Sequence, residues 1–262
     1  MSDLSAYDKL SAAIRNNTPI FFGKFYQDKS VSDVWEKMPI EWIIISKTAV
    51  PYLSDSHTYT LQLISKKVLL FSQWLNRYSF EDNWISSRVR EDLQKLAQEI
   101  FNEDEMLLIQ PVPANKDCFY DEVAHKIYDG SYDSIVNSDC AKEVKHSLLE
   151  KDMLYLMSYD FEQFHKFREL EENKINAKDL HESSATNYAL ENARWLYCCK
   201  GPGGVGYWTK TVAVNEKYVS NEDKGKTKVG VIHGLGSGGG TKRADHIAGI
   251  RPCVTIKITV RD

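Results

Sequence analysis

The stretch VGVIHGLGSGGGTKR, residues 229–243, decides between two fold classes for this chain. Its apolar start predicts a strand, and the strand leads into a G-x-G-x-x-G spacing that begins at Gly234. In dinucleotide-binding proteins this spacing is followed by a helix that holds the pyrophosphate, and by an acidic residue about 20 positions later. Here Thr259 stands at that later position, and Gly249 and Pro252 end the only helical window. We therefore expect no bound nucleotide, and a long connection between two antiparallel strands in which glycines supply positive φ angles.

The order of patterns along the chain predicts an α+β fold. The first part is rich in β-forming residues, and the same composition returns from Arg194 onward. Between them, apolar residues recur every three or four positions over residues 86–101, which predicts an amphipathic helix capped by Ser86 or Ser87. Strands, then helices, then strands argue against alternating βαβ units. The four early strands are predicted at 19–26, 41–49, 59–65 and 67–71.

Length and composition predict one globular domain. The chain has 262 residues, of which 42% are hydrophobic, and a net charge of −4. We expect a single domain over 1–262, with an N-terminal extension at 1–18 and loop insertions at 115–138 and 234–248. There is no apolar run of membrane-spanning length and no basic, apolar leader, so we expect a cytoplasmic protein without a membrane partner. The weak net charge does not favour nucleic acid as a partner.

The residues that commonly bind metals are not spaced as metal ligands. An odd number of cysteines without a C-x-x-C pair favours reduced thiols over a disulfide framework or a zinc knuckle. Near the glycines, two histidines and a cysteine are too widely spaced to anchor zinc. An aspartate-rich segment around 129–139 lacks the final glutamate of a calcium loop. We expect no metal and no cofactor. The residues considered are Cys118, Cys140, Cys198, Cys199, Cys253, His233, His246, Asp129, Asp133 and Asp139.

Four segments, read in order, resemble a known family. They are FFGKFYQ from Phe21, NWISSRVREDL from Asn83, RWLYCCKGPGG from Arg194 and GIRPCVTIKI from Gly249. Together they resemble a bacterial domain of unknown function, family 6273. Members of that family run from a Phe-Gly-x-Tyr start through a Trp-x-x-Ser-x-x-Arg helix to a Gly-Val-Arg-Pro ending. The resemblance extends from about residue 20 to residue 258.

The resemblance implies a C-type-lectin-like fold with a mixed or antiparallel sheet. The N- and C-terminal strands would pair, two helices would flank the sheet, and long loops would lie on one face. The family is similar at its C-terminal end to formylglycine-generating enzymes and to the variable proteins of diversity-generating retroelements. The chain departs from the family where Lys200 replaces an arginine, and in its longer loops. Residues expected to be structural are Trp84, Arg88, Trp195, Arg251 and Pro252.

The C-terminal strands carry the candidate binding residues. Aromatic rings bind sugars and bases by their faces, and basic groups bind anions, so together they predict a recognition surface. The leading interpretation is a non-enzymatic domain that binds a protein, a small molecule or a glycan. Two alternatives stay open: an oxidase or metal enzyme like the formylglycine-generating enzymes, and a phage or mobile-element display protein associated with the virion. The candidate ligand-contacting residues are Lys200, Tyr207, Trp208, His233, Lys242, Arg243 and His246.

Overall fold

The computed structural model describes residues 5–51, 56–74, 84, 87–114, 118–121, 126–129, 151–157, 183–193, 205, 207–214, 228–232, 239–243 and 247–261. These residues form a mixed α+β fold that is mostly sheet. The helices are α1 (Ala6–Asn16), α2 (Arg88–Ile100), α3 (Glu103–Met106) and α4 (Asn187–Asn192). The strands are β1 (Ile20–Lys29), β2 (Trp35–Pro51), β3 (Ser56–Ser65), β4 (Leu70–Gln73), β5 (Val112–Pro113), β6 (Cys118–Asp121), β7 (Lys126–Asp129), β8 (Lys151–Asp152), β9 (Leu154–Tyr155), β10 (Tyr207–Val214), β11 (Lys228–Ile232), β12 (Gly239–Arg243), β13 (Ile247–Ile250) and β14 (Cys253–Arg261).

The first sheet is antiparallel and has the order β1-β2-β3-β14-β9. Its inner strands β3 and β14 pair without interruption from Ser56↔Arg261 to Ile64↔Cys253. The first four residues of β14 are all buried, whereas buried and exposed residues alternate after Ile256. Since successive strand residues point to opposite faces, the first half of β14 is covered on both faces.

The second sheet has the order β12-β11-β10-β13-β4 and is mostly antiparallel. Strand β10 pairs in parallel with β13 at Tyr207↔Gly249, and further along with β6 from Thr211↔Cys118. Strand β7 then adds to β6. Most of β10 therefore has neighbours on both sides, which places its start inside the protein.

Two segments pass side by side from one sheet to the other. Strand β13 ends in the second sheet opposite Leu70, and β14 begins in the first sheet opposite Ile64. The two linking residues, Arg251 and Pro252, are both buried. Backbone hydrogen bonds continue across the link, from Ser65 N to Pro252 O at 2.9 Å and from Leu69 N to Ile250 O at 3.0 Å. One continuous antiparallel ribbon therefore joins the two sheets.

The helices begin where the sequence provides capping side chains. The Ser87 side chain accepts a hydrogen bond from Arg90 N at the start of α2, as predicted. Thr186 does the same for α4 through Ala189 N. One face of α2 is buried, and its residues are Val89, Leu93, Leu96, Ala97 and Ile100. This apolar face is what attaches α2 to the core.

Three predictions about the chain differ from the structure. The first and last strands do not pair with each other, because β2 and β3 form local hairpins that separate β1 from β14. The two predicted loop insertions contain strands: β6 and β7 lie within 115–138, and β12 and the start of β13 lie within 234–248. Residues 1–18, predicted as an extension, contain helix α1, whose Leu10 is buried in the core. Pairing of strands that are neighbours in sequence contributed to the first two outcomes, and packing of α1 on the core decided the third.

Within the described residues, no helix combines the length and the apolar character needed to cross a bilayer.

Candidate functional site

The glycine-rich stretch forms a β-hairpin at one end of the second sheet. Strands β11 and β12 pair antiparallel from Lys228↔Arg243 to Ile232↔Gly239. Among the described strands, β12 stands at one end of its sheet order and β4 at the other. After Gly239 the chain continues as a strand, whereas a pyrophosphate site of the dinucleotide type needs a helix there. Strand β11 ends at Ile232 and β12 begins at Gly239, so β12 lies inside the connection that the sequence predicted over 234–248.

Two of the predicted ligand-contacting residues lie in the core. Tyr207 and Trp208 are both completely buried. The indole Nε1 of Trp208 donates to the carbonyl of Ser72 at 2.8 Å, which ties β10 to β4. Adjacent residues on a strand point to opposite faces, so both faces of β10 are covered at this point. Neither ring lies on the exposed recognition surface that the sequence predicted, because β10 is an internal strand.

Other predicted site residues fall outside what the structure describes. Lys242 and Arg243 belong to β12 by their backbone, opposite Val229 and Lys228, and their side chains are not described. The residues that lie outside the described ranges altogether are Lys200, His233, His246 and Trp195, together with the cysteines Cys140, Cys198 and Cys199 and the aspartates Asp133 and Asp139.

Arg251 is a buried cation at the link between the sheets. Its Nε donates to the Ser65 carbonyl at 2.6 Å, and its NH1 lies 3.5 Å from the Tyr207 hydroxyl. The guanidinium carbon also lies 5.1 Å from the centre of the Tyr207 ring, in cation–π geometry. A buried guanidinium needs such partners, because an unpaired buried charge is costly. These contacts join β3 and β10 at the position where the sequence predicted a structural arginine.

Two buried tyrosines surround the same region and remain neutral at physiological pH. Burial raises the pKa of Tyr207 to about 12, against a smaller lowering by Arg251. Burial also raises the pKa of Tyr155, and the neighbouring thiol of Cys253 adds to this effect. The Tyr155 hydroxyl shares a 2.7 Å hydrogen bond with Thr255 Oγ1. Tyr155 and Tyr207 therefore pack between the two sheets, and their phenols stay protonated near neutral pH.

A second buried polar cluster holds α2 against β8 and β9. Asp152 is 1% exposed and accepts two hydrogen bonds of 2.8 Å, from Trp84 Nε1 and from Arg90 Nε. Trp84, which the sequence predicted to be structural, is itself buried. Arg88 is placed differently, because its side chain is 52% exposed. Its Nε lies 3.7 Å from a carboxylate oxygen of Asp92. The structural arginine of this helix is Arg90, which the sequence analysis missed because both arginines flank the apolar face.

A surface that the sequence analysis did not single out lies on the β1–β2 hairpin. We call it the hairpin patch: residues 24–38, helix α4 and Glu99 at the end of α2. Tyr188 of α4 packs against Trp35 at 5.1 Å and 88°, and against Tyr26 at 5.2 Å and 31°, between ring centres. The rings of Tyr26, Trp35 and Tyr188 are half-buried. Helix α4 is therefore attached to the hairpin by aromatic side chains that are partly exposed to solvent.

Apolar side chains also occupy the turn of this hairpin. Val31 is fully exposed and Val34 is 59% exposed. Turn positions normally carry polar residues, glycine or proline. The segment SVSDV, residues 30–34, was therefore the available sequence signal for this surface.

Within the described residues, no three His, Cys, Asp or Glu side chains are grouped so that they could hold a metal ion. Comparison of the chain with protein-family models, with curated proteins and with solved structures finds no match.

Proposed function

We propose that this protein is a recognition domain with a C-type-lectin-like arrangement, which binds a protein or a glycan through the hairpin β11–β12. The proposal on the fold rests on two mostly antiparallel sheets with flanking helices, and on the order of the segments that resemble the lectin-like family. The proposal on function rests mainly on one observation: β12 stands at one end of the described sheet order, and β11 is the only described strand that pairs with it.

An outermost strand is well suited to recognition. It presents backbone N–H and C=O groups along one side, and these can pair with an incoming extended chain or with hydroxyl groups. Strand β12 also carries Lys242 and Arg243, whose positive charges favour anionic groups on a ligand. Glycines at 239 and 240 leave space beside the backbone, which allows a close approach. A ligand would therefore contact both the backbone and the basic side chains of the hairpin.

The experiment is a binding screen against immobilised glycans and peptides, followed by calorimetric titration of the best binder. We expect Lys242→Ala/Arg243→Ala to weaken binding and to leave the melting temperature unchanged. Lys9→Ala/Lys95→Ala, which removes two exposed lysines from helices α1 and α2, is the matched control. Equal losses in both variants would refute a specific role of the hairpin. Titrations with NAD, ATP and GTP form a second arm, and micromolar binding that disappears in the first variant would instead favour a phosphate site.

A further inference from the structure

We propose that the hairpin patch is a second docking surface, and that its partner is a basic polypeptide segment in which lysine or arginine alternates with apolar residues. Two observations support this: a surplus of carboxylates over lysines in the patch, and apolar side chains exposed at the hairpin turn. The patch belongs to the first sheet and α4, so this inference does not rest on the function proposed for β11–β12.

The aromatic rings of the patch bind ammonium groups within the protein itself. Lys29 Nζ lies 5.1 Å from the centre of the Trp35 ring, and Lys37 Nζ lies 5.2 Å from the centre of the Tyr26 ring. An ammonium group over an aromatic face is attracted by the ring quadrupole. The protein's own lysines therefore lie over these two rings, and the rings with their lysines form part of the fixed surface of the patch.

The charges around the rings favour a basic partner. The patch contains five carboxylates but only three lysines, Lys24, Lys29 and Lys37. Two of these lysines are already engaged, because Lys29 Nζ lies 3.0 Å from Asp33 and 3.4 Å from Glu191, and Lys37 Nζ lies 3.3 Å from Glu99. Negative charge therefore remains in excess, and Asp33 is 82% exposed. The five carboxylates belong to Asp28, Asp33, Glu36, Glu99 and Glu191.

The exposed apolar residues complete the complementarity. Val31 and Val34 lie in the turn, and Met38 on β2 is 42% exposed. Apolar side chains grouped on a surface with a polar rim are typical of protein interfaces. A partner with basic and apolar residues in alternation would place its charges beside the carboxylates, and its apolar side chains against the valines.

The patch is also held in one arrangement before any partner binds. Asn187 of α4 donates a hydrogen bond to Asp28, and Tyr188 packs edge-on against Phe25 at 5.5 Å between ring centres. A preorganised surface loses less conformational entropy on binding than a mobile one. The hairpin and α4 therefore form a ready-made surface rather than one that must fold around its partner.

The experiment measures fluorescence anisotropy of two labelled peptides, one of alternating lysine and leucine and one of alternating glutamate and leucine. We expect the full-length protein to bind the lysine peptide more tightly than the glutamate peptide, with an affinity that falls as salt is added. Val31→Ser/Val34→Ser should weaken this binding about tenfold. Asp33→Asn/Glu36→Gln should weaken it about threefold to tenfold. All four positions are exposed, so both variants should keep the wild-type melting temperature.

Controls use matched residues outside the patch. Leu107→Ser replaces another exposed apolar residue, and Glu103→Gln/Asp104→Asn neutralises two other exposed carboxylates. These variants should bind the lysine peptide as the wild type does. Equal affinity for the two peptides, or equal losses in patch and control variants, would overturn the proposal. Sedimentation tests one further occupant: a wild-type dimer that Val31→Ser/Val34→Ser converts to a monomer would identify a second copy of this chain as the partner and reject the basic peptide.

Discussion

At the scale of single residues, Arg251 shows how one side chain can join two sheets. Its guanidinium contacts the end of β3 through Ser65 and the start of β10 through Tyr207. The ending Gly-Ile-Arg-Pro predicted a structural arginine. Its partners could not be predicted, because Ser65 lies 186 residues earlier in the chain and nothing local indicates the contact.

Arg251→Ala should lower the free energy of unfolding by about 1–3 kcal/mol and the melting temperature by several degrees. The substitution leaves the Ser65 carbonyl without this donor and opens space beside Tyr207. The check is thermal and urea unfolding followed by circular dichroism. Arg88→Ala, which removes a largely exposed arginine, is the control and should change stability by less than about 0.5 kcal/mol. Equal effects of the two substitutions would show that the buried contacts do not stabilise the fold.

Gly23→Ala should destabilise the protein by about 1–3 kcal/mol. Gly23 has a φ of 68°, and an added Cβ would lie 2.9 Å from the Phe101 ring. The loss therefore has a backbone part and a steric part. Urea unfolding of Gly23→Ala in a Phe101→Leu background separates them, because relief of the clash should recover only part of the loss. Full recovery, or no destabilisation at all, would contradict the backbone strain expected at this φ.

Burial of individual aromatic residues was the least predictable property at this scale. Tyr207 and Trp208 belong to a segment rich in rings and next to basic residues, a composition shared by binding surfaces and by cores. Whether such a segment forms a binding surface or part of the core depends on whether its strand is internal to the sheet. That is decided by the pairing of β10 with β11, β13 and β6, which involves segments distant in sequence.

At the scale of secondary structure elements, α2 is attached to β8 and β9 by polar as well as apolar contacts. Gln94 of α2 donates to the Leu154 carbonyl at 2.8 Å and accepts from Met153 N at 3.1 Å. Asp152 adds the buried hydrogen bonds to Trp84 and Arg90. The two short strands, which are too short to be stable alone, are therefore fixed by the helix.

A double-mutant cycle with Arg90→Ala and Asp152→Ala should give a coupling energy of about 1–3 kcal/mol. Asp152 is buried and Arg90 nearly so, with 14% of its side chain exposed, and little solvent screens the pair. The measurement is urea unfolding of the two single variants and the double variant. The exposed pair Arg88 and Asp92 gives the matched cycle, for which a coupling of about 0.5 kcal/mol or less is expected. Similar couplings in the two cycles would disprove a special contribution of the buried pair.

Elements with local signals were predicted well, and those that form only through pairing or packing with another segment were not. The spacing of apolar residues and the serine cap located α2. Strand β12 was missed because it begins with two glycines, which have a low β propensity, and it forms only by pairing with β11. The hairpin patch was missed for a similar reason, since Tyr188 is distant in sequence from Tyr26 and Trp35.

At the scale of the whole molecule, stability should depend on pH in the alkaline range. The pKa of Tyr207 is raised from 10.0 to about 12, and that of Tyr155 is raised as well. A tyrosine with a raised pKa holds its proton more tightly in the folded state than in the unfolded state. Its contribution to stability is therefore complete below about pH 10 and is lost as pH rises towards about 12.

The measurement is absorbance of ionised tyrosine near 295 nm, recorded together with circular dichroism. Of the 14 tyrosines, at least two should stay protonated at about pH 11 and ionise only when the protein unfolds. Tyr207→Phe should make the free energy of unfolding less dependent on pH in this range. Ionisation of all tyrosines while the native circular dichroism persists would contradict the prediction.

We expect a single calorimetric transition, because one antiparallel ribbon joins the two sheets. Segments 56–73 and 247–261 contribute strands to both sheets, so neither sheet can lose them separately. Limited proteolysis should cut first within 169–183 or 215–227, which are polar segments in the sequence, or in the part of 115–138 outside β6 and β7. Two well-separated transitions would contradict a single domain over 1–262.

The class of the fold could be predicted from the order of β-rich and helical segments, and its topology could not. The sequence led us to pair the first and last strands, whereas the sheet places β2 and β3 between them. Both strands have apolar inner faces of similar composition, and composition does not specify which neighbour each strand takes.

The position of β14 has a consequence for synthesis in the cell. Strand β14 lies between β3 and β9, yet Arg251 is made 186 residues after Ser65. At about 5–20 residues per second, the ribosome needs about 10–40 s to make the residues between them. During that time the edge of β3 that β14 will cover has left the exit tunnel without its partner. We therefore expect this edge to be protected from aggregation, by transient pairing or by a chaperone, until β14 emerges.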